Sequence, residues 1–284
     1  MDVASESSKK APSPGEILRA MGITPSKSLG QHFLHDRKIV RRIVTESGVT
    51  KGDVVLEIGP GLGIMTRELA SRISRMVAVE RDTRLAGALG DAALENVEIV
   101  EANALEVDIP QLMETDEYHV VANLPYSVGV AIIQRLQESV PPPRTLTLML
   151  QREVAERIVA APPDMNLLAV AVQFYGTPKL LFRIGTGAFV PPPTVQSSVI
   201  RIVTHRNPLL DQTEQTIFFR VVRAGFSQPR KQIINNLIHG LGYSRDEIHH
   251  VLTVAGIDPT VRPERLTVAD WIQVFRGAVA QTSA

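Results

Sequence analysis

Residues 123 to 126 are Asn-Leu-Pro-Tyr, placed between the apolar run Tyr118-His-Val-Val-Ala122 and an apolar-periodic stretch, Val128 to Leu136. The order predicts a carboxamide, a restrained backbone carbonyl and an aromatic ring at the carboxyl end of a strand, where open α/β sheets bind their ligands. Such a set suits a planar ring with an exocyclic amine. That nitrogen is a poor nucleophile because its lone pair is delocalised, and acceptors on its protons make the pair more available. Asn123 and the Leu124 carbonyl supply acceptors, Pro125 restricts the backbone that presents them, and Tyr126 offers a ring face. Taken alone, the four letters also fit an ordinary strand-to-helix turn.

A second group precedes it. Glu57-Ile-Gly-Pro-Gly-Leu-Gly63 follows one predicted strand and opens a helix near Ile64. Glycines at 59, 61 and 63 let the backbone turn tightly and approach a ligand closely. The dinucleotide fingerprint would place its third glycine at 64, where the chain has Ile64, so a nucleoside-type cofactor without a pyrophosphate is favoured over a nicotinamide. Glu80 closes the next strand about 20 residues on, in position to accept hydrogen bonds from ribose hydroxyls. Asn103, at the end of the third strand, could offer its oxygen to an adenine amino group.

The elements that must position these groups follow an alternating pattern. Short apolar runs at Val54–Ile58, Met76–Glu80, Val97–Glu101, Val120–Asn123 and Thr145–Leu150 are separated by amphipathic stretches, which predicts an α/β fold with a mostly parallel sheet and helices on both faces. Ala169–Tyr175, Leu180–Ile184 and Val199–Val203 are read as later strands. Phe189-Val-Pro-Pro-Pro193 is read as a loop, because consecutive prolines cannot join a ladder. After His205 the pattern is helical: Thr213–Phe226, Arg230–His239, Arg245–Val254 and Thr267–Val279. The predicted organisation is a flexible tail over 1–26, a cofactor-binding catalytic domain over 27–204 and a small all-α domain over 205–284. A basic helix, Asp36 to about Ser47, opens the catalytic domain.

The 284 residues include no cysteine, which removes disulfides, thiolate metal sites and cysteine nucleophiles. Seven scattered histidines show no ligand spacing, and adjacent His249 and His250 would point to different sides of a helix, so no metal is expected. No apolar run approaches the roughly 18 residues of a membrane span, and the Ser-, Lys- and Pro-rich start does not resemble a signal peptide, so a soluble cytoplasmic protein is expected. Net charge is zero but unevenly spread: +4 over residues 1–52, −9 over 53–123 and +5 over 124–284. Basic segments flanking an acidic core suit contact with RNA phosphates. The candidates are Arg37, Lys38, Arg41 and Arg42 near the start, and Arg220, Arg223, Arg230 and Lys231 near the end.

Together these motifs resemble the S-adenosylmethionine-dependent rRNA adenine N6-dimethyltransferases, specifically the small-subunit enzymes of the KsgA group. Further segments carry the likeness over most of the chain: Ser28-Leu-Gly-Gln-His-Phe-Leu34, Met149-Leu-Gln-Arg-Glu-Val-Ala-Glu-Arg-Ile158, Phe189-Val-Pro-Pro-Pro-Thr-Val195 with Ser197 and Ser198, and Arg230-Lys-Gln-Ile-Ile-Asn-Asn-Leu237. Related large-subunit resistance methyltransferases usually carry Ile where this chain has Leu124. The resemblance implies a Rossmann-like class I methyltransferase domain. In it His32 and Leu34 would close over the cofactor, Gly59 would lie beside its methionine part, and Glu80 would bind its ribose. Asn103 would face its adenine, Asn123 and Leu124 would bind the target amine, and Tyr126 and Phe189 would stack on the target base. The implied substrate is small-subunit rRNA within an immature 30S-type particle, modified at two adjacent adenosines in the loop of the 3′-terminal helix, with a monomeric enzyme.

The chain also departs from the family pattern. It has His32 for the usual Asn, Asn103 for the usual Asp, and Ser127-Val128-Gly129 for Asn-Ile-Ser, and it lacks a Tyr-Gly pair near Asn166-Leu167. A neutral Asn103 predicts cofactor affinity weaker by about 1 kcal/mol. The departures leave open a weakly active or non-catalytic ribosome-assembly factor of the same fold, beside the enzyme and a large-subunit rRNA methyltransferase.

Overall fold

A computed structural model describes residues 14–20, 22–25, 31–228 and 230–282. The chain starts with α1 (Pro14–Ala20), β1 (Phe33–Leu34) and α2 (Arg37–Ser47). Five strands alternate with helices after that: β2 (Val54–Ile58), α3 (Ile64–Ala70), β3 (Arg75–Glu80), α4 (Thr83–Gly90), β4 (Val97–Glu101), α5 (Ile109–Met113), β5 (Tyr118–Asn123), α6 (Gly129–Glu138) and β6 (Thr145–Gln151). Next come α7 (Arg152–Ile158), α8 (Leu167–Gln173), β7 (Gly176–Ile184), β8 (Phe189–Val190) and β9 (Ser197–Thr204). Four helices end the chain: α9 (Gln212–Gly225), α10 (Ile233–Leu241), α11 (Arg245–Val254) and α12 (Val268–Thr282).

Seven strands form one sheet in the order β4-β3-β2-β5-β6-β9-β7. The first five are parallel, and β9 runs antiparallel to both β6 and β7. Alternation along each strand divides the side chains between two layers. Leu56, Ile58, Val120 and Ala122 face α5 and α6 through Ile109, Met113, Ile132 and Leu136. Val55, Met76, Ala78 and Val121 face α2 and α3 through Val40, Ile43, Met65 and Leu69. A strand buried on both sides is mostly apolar, and β6, Thr145-Leu-Thr-Leu-Met-Leu150, buries its two threonines along with its apolar residues.

Local chemistry sets the helix ends. The Asp36 carboxylate accepts from the Lys38 and Ile39 amides to start α2, and Gly48, at φ 72°, stops it. Capping boxes, Asp211 with Glu214 and Ser244 with Glu247, start α9 and α11. Helices α9 to α12 enclose their own core around Phe218, Leu237, Leu252, Trp271 and Phe275.

Three expectations are corrected. Ala169–Tyr175 is not a strand: Asn166 caps α8, whose Val172 packs on the sheet core while Ala169 and Val170 pack into the C-terminal core. A helix apolar on both sides loses its period and looks like a buried strand. Residues 14–20, placed in the flexible tail, form α1 with Leu18 buried beside Phe33 and Leu85. Arg230 and Lys231 precede α10 instead of riding on it, since that helix begins at Ile233. Positions 1–13 of that tail and 28–30 of the N-terminal motif lie outside the described residues. No helix among the described residues is long and apolar enough to cross a membrane.

Candidate active site

The strand order reverses between β2 and β5: the chain adds β3 and β4 on one side of β2 and then crosses to the other. Carboxyl ends diverge at such a point, leaving a crevice. An open cleft lies there, lined by residues at the ends of β2, β3 and β5 and roofed by 31–34. It brings together His32, Leu34, Glu57, Gly59, Gly61, Glu80, Asn123, Leu124, Pro125 and Tyr126.

Glycine is required in this wall for stated reasons. Gly59 has φ +67°, and a Cβ there would meet nothing nearer than the Asn123 carbonyl oxygen at 3.8 Å, so the space beside it belongs to the cleft. Gly61, at φ +57°, lies under the Phe33 ring, whose Cδ1 would stand 3.2 Å from a Cβ. The two acids of the wall are held differently. Glu80 accepts from the Gly61 amide at 3.1 Å and the Asp82 amide at 2.9 Å, one on each oxygen, which fixes the carboxylate plane and leaves further lone pairs. Burial pushes its carboxyl above the usual range, and the Asp82 and Gly61 amides partly offset this. Glu57 is buried, and Thr66 Oγ1 donates to its Oε2 at 2.7 Å. Burial pushes its pKa up to about 8, the Thr66 bond opposes the shift, and the Glu80 charge adds to it. Its Oε1 is buried and has no partner among the described residues.

The opposite wall is aromatic. The Leu124 amide donates to the Met149 carbonyl at 3.2 Å, locking the turn to β6, and Asn123 Nδ2 donates to the His32 carbonyl at 3.4 Å. The Tyr126 hydroxyl is 2.7 Å from Ser197 Oγ, and burial keeps its phenol above the ordinary range, hence neutral. The His32 ring stands 5.6 Å from the Tyr126 ring, tilted by 34°. His32 Nδ1 is 2.8 Å from the Pro191 carbonyl oxygen, and because a carbonyl only accepts, Nδ1 carries the hydrogen. A two-stranded ribbon, Phe33 opposite Val190 and Leu34 opposite Phe189, ties this roof to the Pro-rich segment.

The model of the family described as ribosomal RNA adenine dimethylase matches residues 24–278. The chain belongs to that family. Dimethylase relatives include the ribosomal RNA small subunit methyltransferase A of Dehalococcoides mccartyi strain CBDB1, 36% identical over 259 residues, covering 90% of this chain and 89% of the relative. The protein of the same description from Moorella thermoacetica is 40% identical over 273 residues, covering 92% and 94%. Among solved structures, the 23S rRNA methyltransferase ErmE superposes with a TM-score of 0.70 at 27% identity, covering 86% of this chain and 98% of that one. A dimethyladenosine transferase from Plasmodium falciparum gives 0.76 at 22% identity, covering 88% and 98%, and so shares the fold, a class I methyltransferase sheet.

Not every residue anticipated for the dimethylase site lines the cleft. Gly63 is the N-cap of α3 at φ 69°, and a Cβ there would stand 2.2 Å from Leu89 Cδ2, so its glycine serves packing. Asn103 stands outside the lining: its Oδ1 accepts from the Leu105 amide and its Nδ2 donates to Glu106 at 2.6 Å. Phe189, expected to stack on a base, is only 2% exposed and packs with Leu34, Val40 and Phe182, so this arrangement presents no free ring face. At Gly129, the last of the three departing positions, the fit is tight, since it starts α6 where a Cβ would meet Leu150 Cδ2 at 3.2 Å and Leu124 Cβ at 3.5 Å. Of the anticipated RNA contacts all eight are exposed. Arg41 nevertheless pairs with Glu68, and Arg42 lies 3.9 Å over the Phe182 ring and near Glu46. The lining also includes Leu62, Met65 and Leu85, which sequence reasoning missed because their apolar types are those of ordinary helix and loop packing, and the polar Gln31.

Proposed function

We propose that this chain transfers methyl groups from S-adenosylmethionine to the N6 atoms of two adjacent adenosines in the 3′-terminal helix loop of small-subunit rRNA. The observation that carries the reading is one cleft in which Glu57, Gly59 and Glu80 face Asn123, Leu124, Pro125 and Tyr126. The residues fit that cofactor. Glu80 keeps oriented lone pairs for two neighbouring hydroxyls, Glu57 Oε1 is a buried polar atom without a partner among the described residues, and Gly59 leaves room beside the backbone. The curated relatives quoted above are described as small-subunit enzymes.

S-adenosylmethionine supplies an electrophilic methyl on a sulfonium when bound. Asn123 and the Leu124 carbonyl accept from the target amine and turn its lone pair toward that methyl, while Tyr126 supports the ring. Bringing the base out of its stack costs a few kcal/mol, which the aromatic wall offsets. No strong base is needed, because the alkylated nitrogen becomes acidic and its proton can leave to water. The protein's contribution is orientation.

RNA contact is assigned to exposed Arg37 and Lys38 on α2 and to Arg220, Arg223, Arg230 and Lys231 beyond the sheet, with Arg41 and Arg42 at the margin. The working substrate is taken to be an immature 30S-type particle in the cytoplasm, whose own bulk provides the interface for a monomeric enzyme. The division into a catalytic domain at 27–204 and an RNA-contacting helical domain at 205–284 belongs to the same proposal. The test is mass spectrometry of small- and large-subunit rRNA incubated with the protein and labelled S-adenosylmethionine. Dimethyladenosine in the small-subunit RNA supports the reading. Label confined to large-subunit RNA, or bound but unmodified RNA, overturns it.

A further inference from the structure

We propose that Ser197 is a positioning residue for methyl transfer, acting through its hydrogen bond to the Tyr126 hydroxyl to set the plane of the ring that supports the target base. The inference rests on the function proposed above and extends it to a residue outside the cleft lining.

The bond is short and buried at one end: 2.7 Å between the oxygens, with Ser197 fully buried. Ser197 is also fixed independently of the cleft. It is the first residue of β9, a strand inside the sheet, and is paired on one side with Gln151 of β6 and on the other with Ile184 of β7. Its Oγ is therefore placed by two ladders, whereas Tyr126 sits in the turn between β5 and α6, ahead of a helix whose N-cap, Val128, makes no side-chain cap bond. A ring tied at its tip to a strand held in two ladders loses the swing about its χ1 and χ2 torsions that would spoil stacking. The other flank is restrained by the same segment of chain. His32, tilted against Tyr126, is held by the Pro191 carbonyl, six residues before Ser197. Segment 191–197 thus braces the aromatic wall at the hydroxyl and at the ring face. No competing partner of Ser197 Oγ is found among the described residues, while the neighbouring Ser198 Oγ is buried without any. The pairing of Tyr126 with Ser197 is therefore specific to one of two adjacent serines.

The experiment measures steady-state methylation of small-subunit RNA by wild type, S197A, Y126F and the double variant, with S-adenosylmethionine affinity measured separately by calorimetry. The expected result is a kcat about tenfold lower for S197A, unchanged S-adenosylmethionine affinity, a similar loss in Y126F, and a double variant no worse than either single one. S198A, which removes the unpartnered hydroxyl, should keep wild-type kcat. An S197A protein with wild-type kcat, losses that multiply in the double variant, or an equal loss in S198A would overturn the inference. Should S197A fold poorly, Y126F removes the same bond from the cleft side, and a wild-type kcat in Y126F overturns it alone. Wild-type protein that makes no dimethyladenosine would instead overturn the function beneath it.

Discussion

Replacing Glu57 by Gln should make the ligand-free protein more stable at alkaline pH and remove a pH dependence that the wild type carries. The Glu57 carboxyl has an ordinary value of 4.5 and is pushed to about 8 by burial in the fold. The folded chain therefore holds the proton more tightly than the unfolded chain. Stability from this source is fully present below about pH 4.5 and is lost as pH rises through 8. With one tenfold change in proton affinity worth about 1.4 kcal/mol, the contribution is about 5 kcal/mol at its ceiling, about 3 kcal/mol at pH 6 and near zero at pH 9. Gln keeps the volume and the acceptor for Thr66 Oγ1 but carries no charge to bury. Urea unfolding of wild type and E57Q at pH 6, 7.5 and 9 isolates the term, since titrating groups that do not interact with Glu57 cancel in the difference, and Glu80, which does, is part of what the difference reads. The gap between the two proteins should move by about 3 kcal/mol in favour of E57Q across that range. Parallel pH profiles would refute the reasoning, because they would mean that Glu57 is ionised in the fold at neutral pH.

The remaining predictions concern separate parts of the molecule. Asn123→Ala should lower kcat by at least about 100-fold with cofactor affinity nearly intact, as read by methyl incorporation and by calorimetry; equal loss of both would assign Asn123 to the cofactor. Gly63→Ala should cost about 2–3 kcal/mol of stability from its left-handed φ and the Leu89 contact, measured by denaturant melts. Asn103→Asp places a carboxylate against Glu106, so stability should fall by about 1 kcal/mol, and the loss should vanish in an E106Q background. Changing Arg220 and Arg223 together to Glu should weaken RNA binding and flatten its salt dependence by about two counterions, which filter binding across a salt series would show.

The catalytic half of the chain was legible because its signals are local. Strand ends carrying Glu80 and Asn123 are marked by apolar runs that stop at a polar residue, and β2 and β4 have the bounds read from the sequence. Arg245–Val254 was legible to the residue because a capping box begins it. Helix α8 was not, because its two apolar sides serve two different cores. Side-chain packing was equally out of reach: nothing in Phe189 as a letter says that its ring turns inward, and nothing in Asn103 says that Glu106 and the Leu105 amide will occupy it. Ser197 was visible only as part of a motif. Its bond to Tyr126 spans 71 residues, and no local pattern records a contact of that range.

The place of β9 between β6 and β7 has a consequence for synthesis. A ribosome releases the chain from its start, at about 5–20 residues per second, and early segments begin to fold first. Once Asn123 has emerged, the β4-β3-β2-β5 part of the sheet and the wall around Glu57 and Glu80 have every residue they need. The edge strand β7 does not: its sheet neighbour among the described residues is β9, which is made after it, and Tyr126 must wait for the same strand. A nascent chain therefore has the floor of its cofactor side, though not the roof at 31–34 that pairs with 189–190, before the strand that holds Tyr126. Among the described residues β9 is the last strand to leave the tunnel, and it is the one that both joins β7 to β6 and holds the Tyr126 hydroxyl.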